Sequence, residues 1–522
     1  MIDSGLIRIV LIIFVCVYIS LQMVIWVNRD ADKKRLRSQT FWTTATLFFN
    51  IFGFLAYLAC RNTKGPIKCD YCGYDLTKVL SETNLFTCPH CNKLIHSDVA
   101  HQIFLDKVKN FDPRIIKLFD YAGLDIEQGA GKDAKSRVWS VVKFYIARAI
   151  YERATDIHFD PEKEKVRVRQ RIDGVLYDVI APPRELGVRV TAMLKMLAGL
   201  DIAQRKEAQS GRFEVEVGGK KYDLRVSTSY AIFGEKIAIR ILRRDGMLLS
   251  LENLGFLKDD LSRIEQVVSK PHGMVLICGP TGCGKTTTLY SIIKKVNPEK
   301  YNIMTIEDPV EYELPGVSQQ QINVKAGVDF VQGLRSMLRQ DPDVIMVGEI
   351  RDGETAKIAN QAADTGHLVL STMHSIDAAN AITRLRDFEI TPHHLSSSLL
   401  AIIAQRLIRI LCPDCKEKVE RDTVLEERGV KNVYKAKGCP KCNYTGYRGR
   451  TALFEILFAD KELRELIFSD TAPDVIRENY AKWGMRDLRE QGVRRVEAGE
   501  TTLEELNAVV PATKFFTKRK IQ

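Results

Sequence analysis

The feature that most constrains this chain is a glycine-rich loop between a short apolar run and an amphipathic segment. The loop, Gly279-Pro280-Thr281-Gly282-Cys283-Gly284-Lys285-Thr286, follows the apolar residues 274–278, and residues 286–296 have the pattern of a helix. A strand that leads into such a loop and helix directs backbone N–H groups and the positive end of the helix dipole at an anion. The sequence therefore predicts a phosphate-binding loop rather than a chance glycine turn.

The polar residues of this loop have distinct expected roles. We expect Lys285 to neutralise the β- and γ-phosphates of ATP, which makes it a catalytic residue as well, and the Thr286 hydroxyl to hold Mg²⁺. ATP and Mg²⁺ are therefore the expected cofactors. The predicted nucleotide-binding residues are Gly279, Pro280, Thr281, Gly282, Cys283, Gly284, Lys285, Thr286 and Thr287.

Further polar residues follow apolar runs in the same region. Glu307, Glu349 and His374 each come shortly after a run that is typical of a buried strand. Strands that alternate with helical segments predict a mostly parallel sheet, covered on both faces, that binds its ligand at the carboxyl ends of the strands. The alternative is that each acid only caps a helix and that each histidine is an ordinary strand-end residue whose hydrogen bonds are made within the fold.

These residues suit phosphoryl transfer, which needs positioned water and positive charge more than covalent chemistry. We expect Glu307 to orient and deprotonate the attacking water. Gly348 occupies the place of a Walker B aspartate, so Glu349 is expected to act on Mg²⁺ directly or through water, beside Thr286. His367 and His374 are candidates for contacts with the γ-phosphate.

The cysteines are distributed as metal ligands are. Eight of the twelve fall in four C-x-x-C pairs, and two pairs supply the four thiolates of one tetrahedral Zn²⁺ site. Structural zinc is the prediction at both sites, and iron or a redox thiol pair is the alternative. The two sets are Cys69, Cys72, Cys88 and Cys91, and Cys412, Cys415, Cys439 and Cys442.

The first sixty residues contain two apolar stretches, Ile9 to Val27 and Phe41 to Cys60. Each approaches the ~20 residues that span a bilayer, so we predict a transmembrane helical hairpin that contacts membrane lipid. A cleaved signal peptide is disfavoured because the apolar region is too long and no A-x-A site follows. The second stretch has an alternative as an interfacial or re-entrant segment.

The basic residues leave the orientation of this hairpin open. Arg29, Lys33, Lys34, Arg35 and Arg37 lie in the connecting segment, which the positive-inside rule would place in the cytoplasm. Everything after Arg61 must also be cytoplasmic to meet ATP and keep its thiols reduced. We therefore expect the chain at the inner (cytoplasmic) membrane with its ATPase domain on the cytoplasmic side.

Length and charge set the remaining bounds. A chain of 522 residues predicts three or four domains, and its net charge of +11 is scattered, which argues for neither a membrane surface nor a nucleic acid. The predicted domains are a hairpin, 1–61; a zinc ribbon, 62–100; a linker, 101–135; an α+β domain, 136–245; and an α/β ATPase domain, 246–522, with a tetracysteine insertion at about 406–450 and a helical C-terminal region.

Several motifs resemble those of the hexameric type II secretion and type IV pilus assembly ATPases. The resemblance covers about Ala154 to Val509 and is carried by Ala154 to His158 (ATDIH), Asp223 to Ser227 (DLRVS), Thr305 to Glu311 (TIEDPVE), Leu338 to Asp352 (LRQDPDVIMVGEIRD) and Thr365 to His374 (TGHLVLSTMH). The second cysteine set resembles the zinc-bearing insertion of the assembly branch.

The resemblance implies a RecA-like P-loop ATPase domain preceded by a PAS-like second N-terminal domain, six copies in a ring, and a site completed across a subunit boundary. It implies that Arg212 and Arg225 contact the γ-phosphate, with Arg240 a weaker third. Residues 207–212 lack the usual proline and aspartate before Gly-Arg, which puts the loop of Arg212 in doubt. The family's first N-terminal domain has no counterpart, so we expect the hairpin to anchor the ring itself.

The expected function is a motor that hydrolyses ATP to assemble pilins or pseudopilins. Its expected partners are five further copies in a homo-hexamer and a polytopic inner-membrane platform protein. One alternative is a RecA-like nucleic-acid translocase, although no aromatic residues interleave a basic groove as base stacking needs, so nucleic acid is not an expected partner. Another is a membrane scaffold that binds ATP without turnover.

Overall fold

The computed structural model describes Tyr18, residues 20–30 and 39–49, Phe54, Tyr57, and residues 111–125, 137–179, 181–243, 250–419 and 433–511. The chain divides into two compact units, Met1–Ala100 and His101–Gln522. Cys69, Cys72, Cys88 and Cys91 lie outside the described residues, so the predicted zinc ribbon stays a prediction.

The first unit contains two described helices, residues 20–30 and Gln39–Phe49. The Tyr57 hydroxyl donates a hydrogen bond to Asp30 at 2.6 Å, and Trp26 packs edge-on against the Tyr57 ring with 6.1 Å between the ring centroids. Much of the predicted hairpin lies outside the described residues. None of the helices that the structure does describe combines the length and apolar character needed to cross a membrane.

The second unit begins with an antiparallel sheet. Its seven strands are ordered β1-β5-β6-β7-β2-β3-β4. The strands are β1 (Ile116–Phe119), β2 (Ala154–Pro161), β3 (Val166–Ile172), β4 (Val175–Val179), β5 (Gln209–Val217), β6 (Lys220–Ala231) and β7 (Gly234–Arg243). Strand β1 lies within the segment predicted as a linker, 101–135, and pairs there with β5 of the predicted α+β domain.

Alternation of residue types explains which face of this sheet is buried. In β3 the residues Val166, Val168, Gln170 and Ile172 are buried, and the arginines between them are half-buried. Helices α1 (Arg137–Tyr151) and α2 (Arg184–Leu197) complete this α+β region. The Tyr145 ring of α1 packs edge-on against Phe159 of β2, with 5.6 Å between centroids, so α1 covers the apolar face.

A second seven-stranded sheet, ordered β10-β9-β11-β12-β8-β13-β16, is parallel except for its last pair. Residues of β8 alternate between two cores: Met274 and Leu276 belong to one, Val275 and Ile277 to the other. Both faces are therefore covered, as predicted for an α/β domain. The strands are β8 (Gly273–Cys278), β9 (Ile303–Glu307), β10 (Ser318–Gln321), β11 (Val344–Val347), β12 (Leu368–Met373), β13 (Leu399–Leu411) and β16 (Tyr447–Phe458).

Helices cover this sheet, and further helices form the C-terminal region after β16. They are α3 (Lys258–Val268), α4 (Lys285–Ile293), α5 (Phe330–Met337), α6 (Gly353–Asp364), α7 (Ala378–Asp387), α8 (Pro392–Ser398), α9 (Lys461–Phe468), α10 (Pro473–Glu478), α11 (Leu488–Glu497) and α12 (Leu503–Val509). A small hairpin, β14 (Lys416–Lys418) and β15 (Tyr434–Ala436), lies between β13 and β16.

Candidate functional site

The glycine-rich loop joins the end of β8 to the start of α4, as predicted. All of β8 is buried, and Gly279, Gly282 and Gly284 have φ angles of 153°, 77° and 89°, which side chains rarely adopt. The Lys285 ammonium group is folded back over the loop and donates to the Gly279 carbonyl at 3.0 Å. The Thr286 side chain is exposed, where its hydroxyl is available to a metal ion.

Glu307 is the last residue of β9, where the sequence predicted it, but it is only 2% exposed. One carboxylate oxygen accepts hydrogen bonds from the Thr305 hydroxyl at 2.7 Å and the Gln319 amide at 3.1 Å, and the other accepts one from the Tyr290 hydroxyl. Burial and this carboxylate raise the pKa of Tyr290, so the phenol stays a donor. Glu307 therefore connects β9 to the helix of the phosphate loop.

Glu349 lies in a more open cluster of charges. Its side chain is 19% exposed and pairs with Arg351, while the His374 ring nitrogen Nε2 lies 3.4 Å from its other oxygen. Arg351 also lies 3.5 Å from Asp308, and its contact with Glu349 raises the pKa of the guanidinium. The predicted grouping of Glu349 and His374 at one edge of the sheet is therefore present.

The structure gives a physical reason for the glycine that precedes Glu349. The Gly348 N–H donates to the Ile306 carbonyl at 2.8 Å, which draws the two backbones together. A Cβ atom at Gly348 would lie 3.2 Å from that carbonyl oxygen and 3.3 Å from Glu307 Cα. A Walker B aspartate would therefore crowd the end of β9.

His367 does not belong to this edge, contrary to the sequence-based expectation. It precedes β12, its carbonyl accepts from Gly273 at the start of β8, and its ring nitrogen Nδ1 lies 3.0 Å from the Ala362 carbonyl. The phosphate loop follows the other end of β8, and a strand of that length spans about 20 Å. His367 therefore lies too far away to contact the γ-phosphate of a nucleotide on the loop of the same chain, whereas His374, after β12, stays a candidate.

The arginines implied by the family resemblance are aligned across the antiparallel sheet. The register pairs Arg212 with Arg225 and Arg225 with Arg240, so three cationic side chains occupy neighbouring positions on one face. Arg240 continues the row to Asp156, which it approaches to 3.4 Å. Like charges opposite one another destabilise a sheet unless an anion lies between them. We call Arg212, Arg225 and Arg240 the arginine row.

Members of the arginine row differ in their partners. Arg225 lies 3.1 Å from Glu311 and donates to the Val310 carbonyl at 3.1 Å, both on the loop that follows β9 of the same chain. Arg212 makes no hydrogen bond or ion pair with any other residue that the structure describes. The row therefore meets the acidic strand ends within one chain, and Arg212 is the guanidinium left to receive an anion.

The second cysteine set has the geometry of a metal site. All four sulfur atoms lie within 4.8 Å of one another, and the pairs Cys412–Cys439 and Cys415–Cys442 are each 3.8 Å apart. Four thiolates at a Zn–S distance of about 2.3 Å around a tetrahedron are separated by about 3.8 Å. The Cys439 and Gly446 N–H groups donate to Cys442 Sγ, each at 3.2 Å, which suits a thiolate. The predicted donor set therefore fits zinc.

One residue at the phosphate loop was missed by the sequence analysis. Gln405, in β13, is 1% exposed and contacts both the loop and its helix. Because Gln405 follows the loop by more than a hundred residues, no local sequence pattern predicts its contact with the loop. A polar residue directly after the apolar run 399–404 was the available signal.

Comparison with known proteins identifies the family. A profile described as "Type II/IV secretion system protein" matches residues 132–508. The chain belongs to this family. It is 43% identical over 377 residues to the type II secretion system ATPase E of Vibrio cholerae. The aligned residues cover 71% of this chain and 74% of that protein.

Two further similarities concern pilus proteins. The type IV pilus assembly ATPase PilB of Thermus thermophilus is 43% identical over 382 residues, which cover 72% of this chain and 43% of that protein. Among solved structures, the pilus retraction motor PilT with bound ADP is similar with a TM-score of 0.50 and 26% identity, over 73% of this chain and 99% of that one. The resemblance drawn from the motifs is thus confirmed.

The family match contains the whole candidate site. The phosphate loop, both strand-end glutamates, the arginine row and the four cysteines after β13 all lie within residues 132–508, whereas the unit Met1–Ala100 lies before them. Membership in the family therefore bears on the second unit.

Proposed function

We propose that this protein is an ATP-hydrolysing motor for the assembly of pilins or of a secretion pseudopilus. The observation that carries the proposal is that one compact unit contains a phosphate loop, acidic residues at neighbouring strand ends, and the arginine row, whose Arg225 contacts the loop after β9. The relatives named secretion ATPase E and pilus assembly ATPase PilB support the same function.

The phosphate loop and the arginine row would both contact the triphosphate. Lys285 would exchange its contact with the Gly279 carbonyl for the β- and γ-phosphates, and the loop N–H groups would face the same anion. Arg212 would bring positive charge to the γ-phosphate as its bond breaks, a contribution of about 10³ to 10⁵ in rate in other phosphoryl-transfer enzymes. Arg225 would act once it leaves Glu311.

Mg²⁺, when bound, supplies charge neutralisation between the phosphates. Thr286 and Glu349 are the residues that would hold it, and Glu349 would do so after releasing Arg351. Glu307 accepts three hydrogen bonds, and a carboxylate offers about four acceptor positions, which leaves one for a water molecule. We propose that Glu307 orients the attacking water through this remaining position.

The finer features follow from the same reasoning. We propose zinc for the site of Cys412, Cys415, Cys439 and Cys442, where it would fasten the β14–β15 hairpin to the sheet. We further propose a homo-hexamer in which Arg212 reaches a nucleotide shared with a neighbour. A platform protein at the inner membrane would receive the motion, and the first unit would provide contact with lipid.

The experiment that tests this function compares ATP hydrolysis by the full-length protein and its Arg212→Gln and Glu349→Gln variants. We expect turnover by the wild-type protein and at least a hundredfold lower kcat in each variant. Arg263→Gln is the matched control, because its guanidinium lies 3.8 Å from the Phe458 ring centroid and outside the row. Wild-type protein that binds ATP without turnover would support a scaffold instead, and stimulation by single-stranded DNA would support a translocase.

A further inference from the structure

Gln405 contacts the phosphate loop through both atoms of its side-chain amide. The amide nitrogen donates to the Cys283 carbonyl at 2.5 Å, and the amide oxygen accepts from the Thr288 hydroxyl at 2.8 Å. A carbonyl only accepts hydrogen bonds, so the orientation of the amide is fixed by its partners. One buried side chain thus joins the end of the loop to the second turn of α4.

The direction of the Cys283 carbonyl matters for anion binding. A phosphate is held by backbone N–H groups that converge on it, so each carbonyl of the loop must point elsewhere. Because Gln405 holds the carbonyl of Cys283 toward β13, the next peptide N–H, that of Gly284, is turned away from β13. Gly284 itself has a φ of 89°, which this turn of the backbone requires.

Gln405 also limits which residues the loop can contain. A Cβ atom at Gly279 would lie 2.6 Å from the Gln405 carbonyl oxygen, and one at Gly284 would lie 3.1 Å from its amide nitrogen. Strand β13 is held in place by its register, since Ala404 pairs with Cys278 of β8 and Gln405 pairs with Phe454 of β16. The side chain therefore extends from a rigid strand.

We propose that Gln405 is a positioning residue for the phosphates of ATP. Its amide keeps the Cys283 carbonyl out of the phosphate cradle and so orients the loop N–H groups before the nucleotide arrives. This inference rests on the proposed function, because it assigns Gln405 to the same nucleotide site. Gln405 need not touch the nucleotide.

The test measures binding of a non-hydrolysable ATP analogue with Mg²⁺ to the full-length protein and to Gln405→Met, which has a similar size and no hydrogen bond. Loss of a buried hydrogen bond that orients the loop is expected to raise the Kd roughly tenfold or more. Because the catalytic groups stay in place, KM is expected to rise more than kcat falls. A Kd within about twofold of the wild-type value would overturn the proposal.

Gln491→Met is the matched control. Gln491 is another buried glutamine, 3% exposed, and it accepts from the Phe454 N–H at 2.7 Å on the strand next to Gln405. Its loss is expected to lower thermal stability without changing the Kd for the analogue. Equal weakening of binding in both variants would show that Gln405 acts only through the fold.

A second readout does not depend on activity. Cys283 is 4% exposed, so a displaced loop is expected to increase its rate of alkylation, measured by peptide mass spectrometry without nucleotide. Thr288→Val, which removes the hydroxyl that fixes the amide, should show the same change more weakly if Gln405→Met does not fold. An unchanged alkylation rate would contradict the proposal. Failure of the wild-type protein to bind the analogue would instead contradict the proposed function.

Discussion

Glu455 should make the stability of the second unit depend on pH in a specific direction. The residue lies in β16, is 4% exposed, and accepts hydrogen bonds from the Ala378 N–H at 2.9 Å and the Tyr480 hydroxyl at 3.0 Å. Burial, with a smaller contribution from Asp377, raises the pKa of Glu455 from 4.5 to about 7. The nearby Arg477 does not offset the raised pKa of Glu455, because it pairs with Asp377 at 2.9 Å.

The direction of the pH dependence follows from the proton affinity of Glu455 in the two states. The folded state binds the proton of Glu455 more tightly than the unfolded state, so the stabilisation is complete below about pH 4.5 and is lost as the pH rises through about 7. A pKa difference of this size corresponds to about 3 kcal/mol in the free energy of unfolding. Between about pH 5 and pH 8 the expected loss is about 2.5 kcal/mol.

Glu455→Gln removes the titrating group and keeps the size of the side chain. Denaturant unfolding, followed by tryptophan fluorescence at about pH 5 and pH 8, should show that the wild-type protein loses about 2.5 kcal/mol more than this variant. Glu299→Gln, at an exposed position, is the control and should behave as the wild-type protein does. Equal pH dependence in wild type and Glu455→Gln would refute this account of the buried carboxylate.

Two further changes test the metal site and the glycine before Glu349. Cys442→Ser should lower the zinc content by one equivalent per chain, measured by elemental analysis, together with the thermal midpoint; unchanged zinc would show that this cysteine is no ligand. Gly348→Asp should destabilise the protein by about 1 to 3 kcal/mol, measured by thermal or chemical unfolding, because its Cβ would crowd the Ile306 carbonyl. An unchanged midpoint would show that the site tolerates a Walker B aspartate.

Features that depend on neighbouring residues were predictable from the sequence. A buried strand, a glycine loop and a helix follow one another in β8, Gly279 to Thr286 and α4, so the phosphate loop is encoded locally. Helix α6 begins at Gly353 because Asp352 caps its first turn and accepts from the Thr355 N–H, which is also a local feature of the sequence. The four cysteines after β13 were predictable for the same reason, because each C-x-x-C pair forms one turn.

Features that depend on register were not predictable. The arginine row arises because β5, β6 and β7 pair with Arg212, Arg225 and Arg240 opposite one another, and a shift by one residue would place Arg225 on the other face of the sheet relative to its neighbours. His367 and His374 are also close in the sequence, but strand β12 lies between them, so they are at opposite ends of that strand.

Burial of polar groups is the other property that the sequence does not show. Glu307 follows an apolar run as an exposed catalytic acid would, and nothing nearby in the sequence shows that Tyr290 and Gln319 enclose it. Gln405 was missed because its partners, Cys283 and Thr288, precede it by more than a hundred residues. Both residues obtain their surroundings from the order of strands in the parallel sheet.

The most direct test of the proposed motor is phosphate release from Mg²⁺–ATP by the purified full-length protein, compared with its Lys285→Ala variant. Lys285 lies on the phosphate loop, and Lys294, exposed at the end of α4, provides Lys294→Ala as the matched control. We predict steady turnover by the wild-type protein and the control, and none above background for Lys285→Ala. Equal turnover by Lys285→Ala would contradict the assignment of this loop as the site of ATP hydrolysis.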